Sequence, residues 1–366
     1  MIELGFYCTI GHPVNNLFSF IQKEPTFVSQ SNRGVDPLST GQMTGVYAAL
    51  LAVQLFFGIN YYASKVVLSE IPPQAWAGIR VTSAAVILLL IHSLFVRRYP
   101  AREDLRWFVG FALFGIVINQ ILFVEGLSRT SPTHSAIIGT TIPVMTLIMA
   151  ALRREERLRL LKILGVILSL SGVCWLLGIH RFQFESQQQF GDVLTFLNCA
   201  SFAFFLVLSR KVVAKYDALT STTLLMVFGA IGVDIICAKP LFLFFSTQAS
   251  KVSTSTWWHV AYVIIFPTIL TYGLNYWALK RVDASLVAVF IYIQPVVAAS
   301  LSVLFLGETI TVKLVGSTVL VFTGVLLTMQ QTQQWVSRLS LAFRNEAEGF
   351  SDTEAGEHSK NPSFSA

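Results

Sequence analysis

The residues of this chain able to do chemistry are amides, phenols and a few isolated charges, set inside long apolar runs. Asn60, Asn119, Gln120, Asn198, Asn275 and Gln294 carry amides there, and Tyr272, Tyr276 and Tyr292 carry hydroxyls. Thr271 and Asn275 are four apart, as are Tyr272 and Tyr276, so on a helix each pair lines a stripe of one face. An amide facing lipid leaves its donors and acceptors unpaired, so these side chains must turn to one another or to a wet interior. The chemistry such a set supports is recognition. Amides hydrogen-bond a small polar or zwitterionic molecule while the tyrosine rings pack against its apolar part. No catalytic triad, phosphate loop or metal-ligand spacing occurs in its required context. The expectation is therefore no enzyme, no cofactor and no metal.

Ionisable residues at membrane depth are costly and mark function by default. Arg80 lies about 10 Å along its helix, at a rise of 1.5 Å per residue. It is a candidate partner for an anionic group, or a structural post that snorkels or pairs with a carboxylate. Glu125, His134 and Asp234 are candidates for binding a proton, and each is expected near a solvated helix end. Of the four cysteines, Cys174, Cys199 and Cys237 fall in apolar runs without a CxxC pair, which reads as packing.

The elements that must hold these groups follow from composition. Of 366 residues 54% are hydrophobic and 13% charged, with mean hydropathy +0.64. A soluble domain carries about 25% charged residues, and such a deficit needs a lipid-facing surface. Ten runs near bilayer length follow, at about 44–66, 73–96, 105–127, 131–152, 160–179, 190–212, 219–238, 256–278, 283–306 and 311–330. Residues 1–42 form a polar tail without the pattern of a signal peptide, and Met43 is an alternative start. Residues 331–366 read as a disordered tail.

The net charge of +6 is a topology signal and not a nucleic-acid footprint. Arg97, Arg98, Arg153, Arg154, Arg210, Lys211, Lys280 and Arg281 belong to a set of alternate loops holding 14 Lys and Arg, against 6 in the other set. Positive loops stay in the cytoplasm, so both termini are expected there, in the inner or plasma membrane.

The chain also repeats. At an offset of 152, Pro143 falls on Pro295, Glu156 on Glu308 and Gly172 on Gly324. At an offset of 146, Gly45 falls on Gly191 and Lys65 on Lys211. The two copies are 43–180 and 190–330, each of five helices. An odd number per copy forces the second to enter from the opposite side, which gives an inverted repeat. The fold class expected is thus an all-α integral membrane protein, ten transmembrane helices in a 5+5 inverted repeat. Pro143 and Pro295 each remove a backbone donor in mid-helix and free the carbonyls of Gly139 and Ile291, which makes them candidate hinges facing the transport path.

The stretch GLSRTSPTHSAIIGTTIPVMTLIMAAL and its second copy, ALKRVDASLVAVFIYIQPVVAASLSVLFLGETITVKLVGSTVLVFTGVLL, resemble the EamA-type repeat of the drug/metabolite transporter superfamily. Leu306-Gly307-Glu308, the Gly-bearing last helix and Arg80 seven residues after Pro73 carry the likeness, which covers about 44–330. The resemblance implies a basket-like bundle around a central cavity lined by helices 1, 3, 4, 6, 8 and 9. It implies a carrier, exporter or exchanger, of small metabolites such as amino acids; the inverted repeat points to alternating access, and the expected state is a monomer or dimer. Its partners are then a small-molecule substrate and the bilayer. A lipid flippase would instead show polar residues facing lipid between two helices. A membrane-embedded enzyme acting on lipid-linked groups would need clustered His, Asp or Ser at an interface.

Reporter fusions after Arg106 and after Gln187 should report opposite sides of the membrane. Both on one side would remove the ten-helix reading.

Overall fold

The computed structural model describes residues 40–96, 100–154, 160–178, 186–213, 215–271, 274, 277–278 and 290–328. They are helical throughout, joined by short turns. The first half runs α1 (Thr40–Glu70), α2 (Pro73–Phe95), α3 (Arg102–Arg129), α4 (Pro132–Leu152) and α5 (Leu160–Leu177). The second runs α6 (Gln187–Val213), α7 (Ala218–Thr247), α8 (Thr254–Val263, continued as Ile264–Leu270), α9 (Ile293–Leu306) and α10 (Val312–Thr328). Among the described residues, α1 to α7 are long and apolar enough to cross a membrane, and α9 and α10 are shorter apolar helices. The chain is an all-helical, multi-pass membrane protein. Its exposed Leu90, Leu94, Ile235, Phe242 and Leu304 belong against lipid.

Local chemistry sets the helix starts. Pro73 and Pro132 open α2 and α4 in the first turn, where a missing N–H costs nothing. Ser131, Asp217 and Ser253 cap α4, α7 and α8 by accepting from the amides of His134, Thr220 and Thr256.

Side-chain pairs give the helix directions. α5 and α10 are antiparallel, because Gly172 faces Val321 and Gly165 faces Thr328. α2 and α7 are also antiparallel, with His92 on Thr220 and Thr82 on Asp234. α1 runs parallel to α9, through Gln54–Gln294, Gly58–Val297 and Tyr62–Phe305. α6 runs parallel to α4 in the same way, through His134–Asp192, Ser135–Thr195 and Ile138–Cys199. Exchanging the first five helices with the last five returns this same set of pairs.

Two irregularities recur with the repeat. α3 widens to a π-helix at Leu113–Ile118 and α8 at Ile264–Leu270, which coincide at the offset of 152. In α8 the cause is Pro267, which lacks the N–H that would close the α-turn. α4 breaks at Thr140–Thr141, and Ile291–Tyr292 form a turn directly before α9. Here the mid-helix expectation for the prolines is corrected. Pro143 and Pro295 lie in the first turn of a new helical segment, Ile142–Leu152 and Ile293–Leu306, so the discontinuity precedes them. The hydroxyls of Thr140 and Thr141 donate to the carbonyls of Ile137 and Ile138 at 2.7 and 2.6 Å, which satisfies the broken end.

A third pair of features ties the two ends. Call the near end the one where α1 begins and the far end the one where it finishes. At the far end Glu70 accepts from Ser253 N (2.6 Å), Ser253 Oγ (2.8 Å) and Thr256 Oγ1 (2.9 Å), which latches α1 to the start of α8. At the near end the Tyr216 hydroxyl donates to Asp104 (2.7 Å) and accepts from Ala101 N (3.3 Å), which latches the end of α6 to the start of α3. Glu70 and Tyr216 differ by 146, and Ala101 and Asp104 precede Ser253 and Thr256 by 152. The latches are therefore equivalent under the repeat, with the carboxylate moved from one side of the joint to the other.

With lipid as solvent, helices associate through close packing and not through exclusion of water, so small residues decide the contacts. A Cβ on Gly172 would lie 2.8 Å from Val321 N, and one on Gly165 2.6 Å from Gly324 O. Gly172→Leu should force α5 off α10 and lower stability by about 1–3 kcal/mol, the usual cost of overpacking. Gly110→Leu meets open space and serves as control. Thermal melts in detergent that fail to separate the two would refute this account of the interface.

Candidate functional site

Five helices converge on Phe123. Tyr61 of α1 packs its ring edge-on at 6.0 Å, and the Arg80 guanidinium of α2 sits 5.6 Å above the same ring. Arg80 Nε donates to Thr268 Oγ1 at 3.4 Å, on the π segment of α8. The Tyr61 hydroxyl lies over Gly139 at the break of α4, where a Cβ would come within 2.6 Å of it. Gln120 precedes Phe123 by three residues and shares its face. The Gln120 Nε2 is buried and has no hydrogen-bond partner. A cation, a phenol, two rings and an unspent amide donor thus meet where α4 is broken and α8 widened. An anionic or amide oxygen would find donors here, and an apolar group would find Phe123 and Tyr61. Phe56, Tyr262 and Phe266 extend the aromatic surface between α1 and α8, with ring centroids 5.1–5.2 Å apart.

The structure sorts the other expected residues. Asn119 and Asn198 come together but spend their amides on each other's backbone, at 3.2 and 2.7 Å, which ties α3 to α6 just beyond the π segment. Gln294 donates to Gln54 at 2.5 Å and ties α9 to α1. Asn60 is buried and accepts from Ser64 one turn on, at 3.2 Å. Tyr292 packs on Phe322 of α10 with its hydroxyl buried and unpartnered. Tyr272, Asn275 and Tyr276 lie outside the described residues.

The charged candidates differ from expectation in one respect. Asp234 is not near a solvated helix end. It stands in the middle of α7, accepts from Thr82 at 2.7 Å, and keeps its second oxygen buried beside Gly78. Glu125 accepts from Gln74 at 2.5 Å and pairs with Arg129. His134 contacts Asp192 at 2.9 Å, and Asp192 is 1% exposed. Among the described residues no group of three His, Cys, Asp or Glu could hold a metal ion.

Three contributors went unrecognised in the sequence. Phe123 is one phenylalanine among 29. Tyr61 and Tyr62 are adjacent in one apolar run, yet Tyr61 packs on Phe123 while Tyr62 meets His259 and Phe305 towards the far end. Thr268 had a usable signal, since it follows a mid-helix proline.

This arrangement, apolar helices around a polar and aromatic centre with discontinuous helices at its edge, defines a multi-pass membrane transporter. The chain belongs to the EamA-like transporter family, whose family model matches residues 43–178 and again 189–330. That is a family of transporters and not of enzymes. It is 27% identical over 290 residues to the uncharacterized transporter YyaM of Bacillus subtilis, covering 77% of this chain and 92% of that one. It is 24% identical over 300 residues to the uncharacterized inner membrane transporter YedA of Escherichia coli, covering 79% and 92%. One solved crystal structure shares the fold at TM-score 0.52 with 18% identity, covering 78% of this chain and 98% of the other.

Among the described residues the geometry separates the amides that tie helices together from Gln120, which keeps a free donor. Asn198→Ala should cost about 1 kcal/mol, the net worth of a hydrogen bond of this kind, visible as a lower melting temperature. Gln120→Ala should leave the melting temperature unchanged. An equal loss for both would make Gln120 a packing residue.

Proposed function

We propose that the chain is a secondary carrier, an exporter or exchanger of a small polar or zwitterionic metabolite such as an amino acid. It works by alternating access between ten transmembrane helices arranged as a 5+5 inverted repeat, with copies at 43–180 and 190–330. The observation that carries this reading is the pair of equivalent latches, Glu70 on Ser253 and Thr256 at the far end and Tyr216 on Ala101 and Asp104 at the near end. A carrier needs the same joint at both faces so that one opens while the other holds. The antiparallel pairs α2–α7 and α5–α10 support it, because equivalent helices running in opposite directions belong to an axis lying in the membrane plane. The charge asymmetry of the loops assigns the near end and both termini to the cytoplasm of an inner or plasma membrane.

The centre argues for the substrate class. Arg80 is the cation placed among the aromatic rings, and a phosphate ester would want several. One guanidinium with Gln120 and the Tyr61 hydroxyl suits a single carboxylate or amide oxygen, and the rings suit an apolar side group. These groups point into the bundle and not between two helices toward lipid, which favours a carrier over a flippase. Tyr272, Asn275, Tyr276, Tyr292 and Gln294 remain candidates for the opposite wall.

The test is counterflow in proteoliposomes, using labelled alanine, leucine, threonine and glutamine beside a nucleoside and a sugar phosphate. Expected is exchange of at least one zwitterion and none of the sugar phosphate. Arg80→Gln should slow that exchange roughly tenfold or more, the worth of one charge-assisted hydrogen bond. Scrambling of labelled lipid without exchange of any solute would overturn the carrier reading.

A further inference from the structure

At the far end, three carboxylates surround the turn between α3 and α4. Glu125 has a permanent cation in Arg129, whose guanidinium also lies 5.7 Å from the Phe190 ring. Glu308, just after the left-handed Gly307 that ends α9, acts electrostatically on Lys65. The remaining carboxylate, Asp192 of α6, faces a histidine. His134 Nδ1 stands 2.9 Å from Asp192 Oδ2, and Thr130 Oγ1 donates to Asp192 Oδ1. Asp192 is nearly fully buried, yet it and His134 both line a cavity of about 340 Å3 with Leu176, Ser186, Gln188, Gln189 and Lys313. The Gln188 amide is 3.5 Å from His134 Nε2. An imidazole can carry one proton or two, and its Nδ1 can donate to a carboxylate in either state.

The geometry points to His134–Asp192 as a proton-binding site, reached from the cavity, whose occupancy sets how tightly α6 is tied to the α3–α4 turn. With the proton bound, an imidazolium faces a carboxylate and the contact becomes a charge-assisted hydrogen bond. Without it, Asp192 is a buried charge held by neutral donors. The tie reaches further than its two residues. Thr130 bonds Asp192 through its hydroxyl, and its carbonyl accepts from Lys65 Nζ at 2.6 Å. Lys65 also caps the end of α3 through the carbonyls of Leu127 at 2.8 Å and Ser128 at 3.0 Å. A continuous set of contacts thus runs from α6 through the α3–α4 turn to α1, and the field of Glu308, after α9, reaches Lys65 without a direct contact. α1, α4, α6 and α9 are the helices whose parallel pairs the repeat exchanges. A proton here therefore biases the far end toward closure, and its release favours opening.

This inference rests on the carrier reading for its purpose but not for its test, which uses the proton itself as ligand. Amide hydrogen exchange is measured on the full chain in nanodiscs between pH 5 and 8, corrected for the intrinsic rate. The peptides followed cover 126–135 and 187–195. Expected in the wild type is stronger protection at acid pH, by roughly tenfold, equivalent to about 1.4 kcal/mol for one charge-assisted bond. His134→Gln should flatten that profile. Should this variant fail to fold, Asp192→Asn serves instead, since it keeps an acceptor for Thr130 and removes the charge. A wild-type profile without pH dependence, or one that persists in the variant, overturns the proton site. The expected profile together with no solute exchange in vesicles would keep the proton site and remove the carrier reading.

Discussion

In a bilayer every backbone carbonyl released by an irregular helix must find a donor inside the protein. Most polar side chains here answer that demand. Where α3 widens, Ser201 donates to the Phe114 carbonyl at 2.7 Å and Asn198 to that of Asn119 at 2.7 Å. Where α8 widens, Thr268 and Thr271 return their hydroxyls to Val263 and Pro267, both at 2.8 Å. Where α4 breaks, its own threonines close the end. Where α3 stops, Lys65 supplies all three of its donors to carbonyls. The irregularities are tolerable because each sits where a neighbouring helix or its own side chains can serve it. They gather toward the interior, where Phe123, Arg80 and Gln120 also sit.

The same demand explains why the two halves agree in backbone more closely than in chemistry. The π segments, the breaks before Pro143 and Pro295 and the two latches recur at fixed offsets, yet the residues that satisfy them differ. The α4 break is closed by threonine hydroxyls, while the turn before α9 has Tyr292, whose hydroxyl is unpartnered. One latch has its acid at the end of α1, the other at the start of α3. Symmetry of the fold is kept by geometry, and the side chains that satisfy it are free to differ between the two faces.

Much of this was legible before any coordinates. Apolar runs of bilayer length and the burial of Asn60, Gln120 and Asn198 follow from the cost of polar groups in lipid, and the two copies, read at 43–180 and 190–330, follow from the fixed offsets. The roles of the amides were not. Asn119 and Gln120 are adjacent and chemically alike, but one is used up by the Asn198 backbone and the other keeps a donor. Asp234 reads as near an end because α7 is longer than its apolar run, Ala218–Thr247 against about 219–238.

What the sequence alone determined is membership and architecture: a membrane-embedded, twice-repeated helical chain of the EamA-like type. Periodicity, hydropathy and the offsets of Pro, Glu and Gly are properties of the chain itself. The tertiary structure decided which residues meet. Asp192, a single acid at the start of an apolar run, became the partner of His134 and Thr130 because α6 lies parallel to α4 and antiparallel to α3. Tyr61 and Tyr62, neighbours in sequence, were sent to different surroundings because a helix turns by about 100° per residue, at 3.6 residues per turn. Such pairings depend on packing between helices far apart along the chain, and no local pattern encodes that distance.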